Sequence, residues 1–93
     1  MSLLLKDPDA VLDYLVDWGA EYLDADSLTE SAWSVEPDEA GGVSVASHRF
    51  DERTATVTAA GGIAGRVYRL VNHVTLASGR TDCRSVTLRV EKR

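Results

Sequence analysis

Apolar and polar side chains alternate through the last third of the chain, between Gly61 and Val90. A period of two is typical of β-strands that bury one face. The pattern predicts a strand over residues 66–76, a tight turn at Ser78-Gly79, and a second strand over residues 82–90. The side chains predicted to face the core are Tyr68, Leu70, Val74 and Leu76 on the first strand and Val86, Leu88 and Val90 on the second.

The segment from Val11 to Leu23 fits two periods. Leu12, Tyr14, Val16 and Trp18 occupy alternate positions, as in a strand, whereas Leu12, Leu15, Val16, Gly19 and Leu23 could line one side of a helix. Gly19 would weaken such a helix by about 1 kcal/mol, so we favour the strand. Further strands are predicted over residues 28–35, 43–47 and 54–59, separated by turns or loops at 24–26, 36–42 and 51–52.

Short strands with turn signals about every 8–12 residues predict an all-β fold, an immunoglobulin-like antiparallel β-sandwich of about seven strands. The chain has 93 residues, which is enough for one domain. Asp7-Pro8-Asp9 interrupts regular structure, so residues 1–10 are predicted to form an N-terminal arm and residues 11–93 the sandwich. Asp7 and Pro8 could also begin a helix.

Five residues have predicted structural roles. Tyr68 follows a corner at the head of the penultimate strand, where such sandwiches place a tyrosine whose hydroxyl bonds back to the preceding turn; it could also be a plain core aromatic. Trp33 is predicted to be the main aromatic side chain of the core. Gly61, Gly62 and Gly65 are predicted to allow positive φ at the corner, because a phosphate-binding loop would need a following helix and here a strand follows.

Charge is distributed unevenly along the chain. Up to His48 there are 11 acidic residues and one basic residue, and from Arg49 onward there are 9 basic and 4 acidic residues, which gives the net charge of −5. Two interpretations remain open: solvated surfaces that differ in sign, or an acidic face that meets a basic neighbour. Nucleic-acid binding is not expected, because the net charge is negative and no strand or helix carries a basic cluster with aromatic residues.

The residues that usually carry chemistry are few and scattered. His48 and His73 stand in no catalytic motif, and together with Cys83 they lack the short paired spacings of a zinc site. We therefore expect no enzymatic activity, no cofactor and no metal. A single cysteine excludes an internal disulfide and favours folding in a reducing cytoplasm. Residues 1–5 have no basic segment before their leucines, so no signal peptide or membrane span is expected.

Three stretches resemble a known family: KDPDAVLDYLVDW at 6–18, ESAWSVEP at 30–37, and GGIAGRVYRLVN with SGRTDCRSVTLRV after Gly61. They are similar to small virion proteins of tailed bacteriophages, described as head-tail region or fibre-to-tail adaptor proteins. The resemblance implies an immunoglobulin-like sandwich that is present in many copies, as a ring or another multi-copy assembly, attached to connector, tail, fibre or capsid subunits. It implies location in the virion, after a stage in the host cytoplasm, and supplies no catalytic residues. Cys83 departs from the polar residue usual there.

Adhesion through the surface is the mechanism expected of such a protein, because unpaired edge strands can extend a neighbouring sheet. The candidate interface residues are Leu3, Leu4 and Leu5 in the arm and Arg69, Arg84 and Arg89, which are predicted to point outward. An alternative is a free-standing immunoglobulin- or fibronectin-like binding module that decorates a capsid or recognises carbohydrate, with Tyr22 as its candidate aromatic. A small enzyme or ligand carrier would need a pocket with converging polar groups.

Overall fold

A computed structural model describes residues 3–19, 23 and 25–92 of the chain. These residues form seven strands: β1 Leu3–Lys6, β2 Leu12–Asp17, β3 Leu28–Glu36, β4 Val43–Phe50, β5 Thr54–Gly61, β6 Val67–Leu76 and β7 Thr81–Val90. The all-β prediction is confirmed, and so is the choice of a strand in the segment that begins at Val11. In the described ranges there is no helix that could span a membrane.

The strands form two sheets packed as a sandwich. One sheet has four strands in the order β1-β7-β6-β3, and the other has three in the order β2-β5-β4. Successive strands β3 and β4 belong to different sheets, as do β5 and β6, so the chain crosses between the layers as in immunoglobulin-like folds. Each neighbouring pair is antiparallel except β1 with β7.

Strand β1 replaces part of the predicted arm. Leu3–Lys6 run parallel to β7, with Leu3 opposite Thr87 and Lys6 opposite Val90. Asp7-Pro8-Asp9 does interrupt regular structure, as predicted. It lies between strands β1 and β2, and not at the end of an unpaired arm. This parallel pair is an addition to the predicted antiparallel sandwich, because residues 1–10 are predicted as an arm and four residues show no period that identifies a partner so distant along the chain. Met1 and Ser2 lie outside the described residues.

Strand β4 continues to Phe50, beyond its predicted end at Ser47. Its register against β5 shifts between Val45 and Ser47, which marks a β-bulge. The bulge breaks the alternation on which the prediction depended. Backbone pairing with β5 extends the strand through His48 and Arg49 to Phe50, although these residues do not alternate between apolar and polar side chains.

Two clusters of buried side chains fill the space between the sheets. The first contains Val16, Trp18, Leu23, Leu28, Ala55, Val74 and Leu76, and the second contains Val43, Val57, Ala59, Tyr68, Leu70, Leu88 and Val90. Trp33 and Val86 are partly buried and contact both clusters. The predicted inward face of β6 and β7 is confirmed, with every member buried except the half-buried Val86.

Trp18, and not Trp33, is the fully buried tryptophan. Its indole Nε1 donates a hydrogen bond to Oδ1 of Asn72 at 2.9 Å. Asn72 is itself fully buried, and its Nδ2 donates to Oγ of Ser31 at 2.9 Å and to the carbonyl oxygen of Ala32 at 3.1 Å. A buried indole N–H without an acceptor costs free energy, so the bond to Asn72 stabilises Trp18 in the core.

The corner between β5 and β6 contains Tyr68 and the three glycines. The Ile63 N–H donates to the Tyr68 hydroxyl at 3.2 Å, which is the bond back to the preceding turn that a tyrosine corner requires. The same hydroxyl donates to Glu39 at 3.2 Å. Gly62 has φ +120°, and a Cβ there would lie 2.7 Å from a methyl of Val90. Gly61 and Gly65 also have positive φ, at 75° and 88°.

Candidate attachment surface

The four-stranded sheet has one face that points away from the other sheet, and we call it the outer face. Register places Leu5, Arg89 and Val67 side by side across β1, β7 and β6, and Leu3, Thr87 and Arg69 in the next row on the same face. Leu3, Leu5 and Val67 are 52%, 47% and 46% exposed. The outer face therefore presents large apolar side chains between arginines.

Arg69 and Arg89 both lie on the outer face, as predicted, and both have an acidic partner. Arg69 contacts the Glu36 carboxylate, with its Nε 3.1 Å from Oε1, and the Arg89 Nε contacts Glu91. All four side chains are about half exposed. Exposed pairs of this kind stabilise a fold by only about 0–1 kcal/mol, so an arginine can exchange its partner for another acceptor at small cost.

Arg84 does not belong to the outer face. It lies opposite Asn72 in the register of β6 and β7, on the side of the sheet that faces the core. Its guanidinium carbon lies 4.8 Å from the centroid of the Trp18 ring. The prediction that Arg84 points outward is wrong, because residue 84 shares the parity of the inward residues 86, 88 and 90.

Leu4 and Lys6 occupy the inner side of β1. Leu4 remains 39% exposed at the edge of the sheet, whereas Lys6 is fully buried. The Lys6 Nζ donates to the carbonyl oxygen of Gly61 at 2.7 Å and to that of Asp7 at 3.0 Å, which ties β1 to the end of β5. Burial lowers the pKa of Lys6, and the carboxylates of Asp7 and Asp9 oppose that shift.

The uneven charge along the sequence is partly balanced inside the folded molecule. Five ion pairs among the described residues join an acidic residue before His48 to a basic residue after it. These pairs are Asp13–Arg49, Glu39–Arg66, Glu36–Arg69, Asp26–Arg80 and Asp9–Lys92. This arrangement favours the interpretation of mixed solvated surfaces over that of a single acidic face.

A shallow groove of about 510 Å³ crosses β3, β6 and β7 on the outer face. His73 and Cys83 lie opposite each other within it, and Glu30 and Asp82 are also part of its lining. The His73 Nε2 lies 3.5 Å from Oγ of Ser34, which is longer than the reach of a base that activates a nucleophile. The part of the chain that the structure covers contains no cluster of three residues able to hold a metal.

Sequence reasoning missed the buried polar residues Lys6 and Asn72. The parity of the strands does contain a signal, because Lys6 shares the side of Leu4, and Asn72 falls between Leu70 and Val74 on the inward face of β6. Tyr22, the aromatic residue proposed for carbohydrate recognition, lies outside the described residues.

The strand order, the crossovers between sheets and the tyrosine corner define an immunoglobulin-like β-sandwich domain. A solved structure described as "Solution structure of the PKD domain from KIAA 1837 protein" supports this class, with a TM-score of 0.55 at 20% identity, covering 98% of this chain and 79% of that chain. A family model described as "Podophage GP4 fiber-tail adaptor protein gp77" matches residues 6–89. The chain therefore belongs to the podophage GP4 fibre-tail adaptor family, as the resemblance indicated. No curated protein matches it.

Proposed function

We propose that this chain is a non-enzymatic structural adaptor of a podophage virion, and that it attaches in many copies to fibre, tail, connector or capsid subunits. The family match is the observation that carries the proposal, because it covers residues 6–89 and therefore nearly all of the sandwich. The adaptor role thus belongs to the folded domain. The protein would reach the virion from the host cytoplasm, where the other virion proteins are also made.

The outer face is the surface that best fits attachment. Leu3, Leu5 and Val67 are exposed apolar side chains, and an apolar patch bordered by polar residues is typical of a protein-binding site. Arg69 and Arg89 lie among them, and arginine is enriched at interfaces because its planar fork binds acceptors in pairs. Burial of the apolar residues would supply affinity, and the arginines would select a partner with acceptors at matching positions.

Incorporation into particles tests the proposal. In a phage that carries the double variant Arg69→Glu and Arg89→Glu, we expect at least a tenfold loss of this protein from purified particles, measured by quantitative mass spectrometry. Arg49→Glu is the matched control, because Arg49 is also exposed and ion-paired but lies on β4 of the other sheet. Its incorporation should stay within twofold of the unaltered protein.

Two outcomes would contradict the proposal. Absence of the unaltered protein from purified particles would exclude a virion role. Equal incorporation of the double variant and the control would exclude the outer-face arginines as the attachment surface. Cryo-electron microscopy of the unaltered particle would then identify the subunit that each copy contacts and the number of copies.

A further inference from the structure

Three of the four sheet edges carry features that discourage pairing with another strand. Natural proteins protect edges with charged side chains and bulges. Strand β2 has Asp13 and Asp17, and the other two edges have bulges: β3 between Leu28 and Glu30, and β4 between Val45 and Ser47. Strand β1 has neither protection along Leu3–Leu5, where all three side chains are 39–52% exposed.

The pairing of β1 with β7 determines which backbone N–H and C=O groups of β1 face the open edge of the sheet. The N–H of Glu91 donates to the carbonyl oxygen of Lys6 at 3.0 Å, so the polar backbone groups of Lys6 point toward β7. Backbone groups alternate in direction along a strand, and those of Leu4 therefore point the same way. The N–H and C=O groups of Leu3 and Leu5 point toward the open edge, beyond which the sheet has no further strand among the described residues.

We propose that two copies of this chain join edge to edge through antiparallel pairing of their β1 strands. A two-fold axis at Leu4 places Leu3 opposite Leu5 of the second copy, and Leu4 opposite Leu4. The outward-pointing backbone groups of Leu3 and Leu5 then meet in phase and form four hydrogen bonds, two in each Leu3–Leu5 pair. The two four-stranded sheets become one sheet of eight strands.

The side chains of β1 are compatible with pairing between the β1 strands of two copies. Every paired position is leucine in both chains, so Leu3 and Leu5 of both copies cluster on the outer face and the two Leu4 side chains meet on the inner side. Lys6 brings no charge to the contact, because its Nζ is bound inside its own sandwich. The same symmetry makes the interface self-complementary, as a closed dimer requires.

The short edge also determines the strength of the contact. Three leucines per copy supply far less than the about 800 Å² per partner that a standard stable interface buries. Dissociation constants from about 10 μM to 1 mM are therefore expected for the purified protein. In a particle, attachment of both copies to neighbouring subunits would raise their effective concentration and hold the pair together.

Sedimentation equilibrium over a wide concentration range tests the pairing. The unaltered full chain should show a monomer–dimer equilibrium. Leu5→Pro removes an edge N–H without breaking the ladder to β7, and proline is tolerated at such edge positions; this variant should stay monomeric, or dimerise at least tenfold more weakly. Leu5→Val keeps the N–H and should dimerise within threefold of the unaltered chain. A monomer at 1 mM, a larger oligomer, or equal dimerisation of Leu5→Pro and Leu5→Val would overturn the proposal.

Disulfide trapping provides a test that does not depend on proline. In a Cys83→Ser background, Leu4→Cys places two thiols directly opposite each other across the two-fold axis, in a pair close enough for a disulfide. Mild oxidation should yield mostly covalent dimer. Leu3→Cys, in the same background, faces residue 5 of the second copy and should yield at least fivefold less. Equal yields would contradict the two-fold axis at Leu4.

These tests use purified protein and concern only self-association. Their failure would leave the particle assay of the adaptor role intact, and a protein absent from particles could still dimerise. If both proposals hold, pairing through β1 joins two outer faces into one larger attachment surface.

Discussion

At the scale of single residues, buried polar side chains determine how the core closes. Asn72 lies among apolar neighbours of β6 and uses both ends of its amide, accepting from Trp18 and donating to Ser31 and Ala32. A satisfied polar group contributes little net free energy, but loss of its partner leaves a buried donor unpaired, which costs much more. The core is therefore sensitive at a residue that a hydrophobic pattern would have ignored.

Asn72→Ala should lower the free energy of unfolding by about 2–4 kcal/mol, because it leaves the Trp18 N–H without its acceptor and opens a small cavity. Urea denaturation monitored by tryptophan fluorescence measures this change. Ser31→Ala removes one acceptor at the partly buried end of the same network and should cost about 1 kcal/mol or less. Equal effects of the two substitutions on the free energy of unfolding would show that the hydrogen bond to Trp18 contributes no more to stability than the bond to Ser31.

At the scale of elements, turns are joined by side chains from distant parts of the chain. The Asp26 carboxylate, in the loop before β3, accepts hydrogen bonds from the Ser78 hydroxyl at 2.6 Å and from the Ser78 N–H at 3.2 Å. Arg80 contacts the same carboxylate at 3.2 Å. Asp26 thus fastens the turn between β6 and β7 to the loop before β3. The bond from the Ser78 hydroxyl is the main reason that the pKa of Asp26 falls to about 2, with further lowering by the Ser27 N–H and Arg80.

Acid should weaken this link in a defined range. The pKa of Asp26 is about 2 in the folded protein and near the ordinary 3.8 in the unfolded chain, so its stabilising contribution is complete above about pH 4–5. As the pH falls through 3.8 toward 2, the unfolded chain takes up the proton first, and the contribution is progressively lost. Asp26→Asn should be less stable than the unaltered chain at pH 7, and the difference should shrink toward pH 2.

Thermal unfolding followed by circular dichroism at several pH values measures that difference. Asp51→Asn is the matched comparison, because backbone N–H groups of Arg53 and Thr54 also lower the pKa of Asp51, but within a single turn. If the difference in stability between Asp26→Asn and the unaltered chain stays constant from pH 7 to pH 2, the pKa of Asp26 is not lowered in the folded protein.

At the scale of the whole molecule, the fold converts a strongly asymmetric sequence into a surface of mixed charge. The acidic first half and the basic second half of the chain meet in five of the ion pairs that the structure describes. Arginines held in such pairs carry little unbalanced charge that could attract an acidic neighbour over long distances. By contrast, the three leucines of β1 remain 39–52% exposed in the folded molecule. We therefore expect burial of these side chains to drive association.

Salt should therefore leave self-association unchanged or strengthen it slightly. Two copies carry the same net charge of −5, so added salt screens their repulsion, while the paired residues of β1 are apolar. Between about 50 mM and 500 mM NaCl, we expect the dimer dissociation constant to stay constant or to fall by up to about threefold, measured by sedimentation. A tenfold weakening at high salt would show that charge, and not burial, holds the dimer.

Sequence and tertiary structure determine different features of this protein. The sequence by itself predicts the strands with a period of two, the turn at Ser78-Gly79 and the glycine corner with Tyr68, because each depends on residues close together in the chain. It also indicates the family, because that resemblance is carried by short stretches of sequence. Only the tertiary structure decides that β1 pairs in parallel with β7, that Arg84 lies over Trp18 while Asn72 satisfies its N–H, and that acidic residues of the first half pair with basic residues of the second. The physical reason is that local alternation specifies which side chains share a face of a strand, whereas the partner of that strand depends on distant contacts, such as the β1–β7 pairs between residues 84 positions apart.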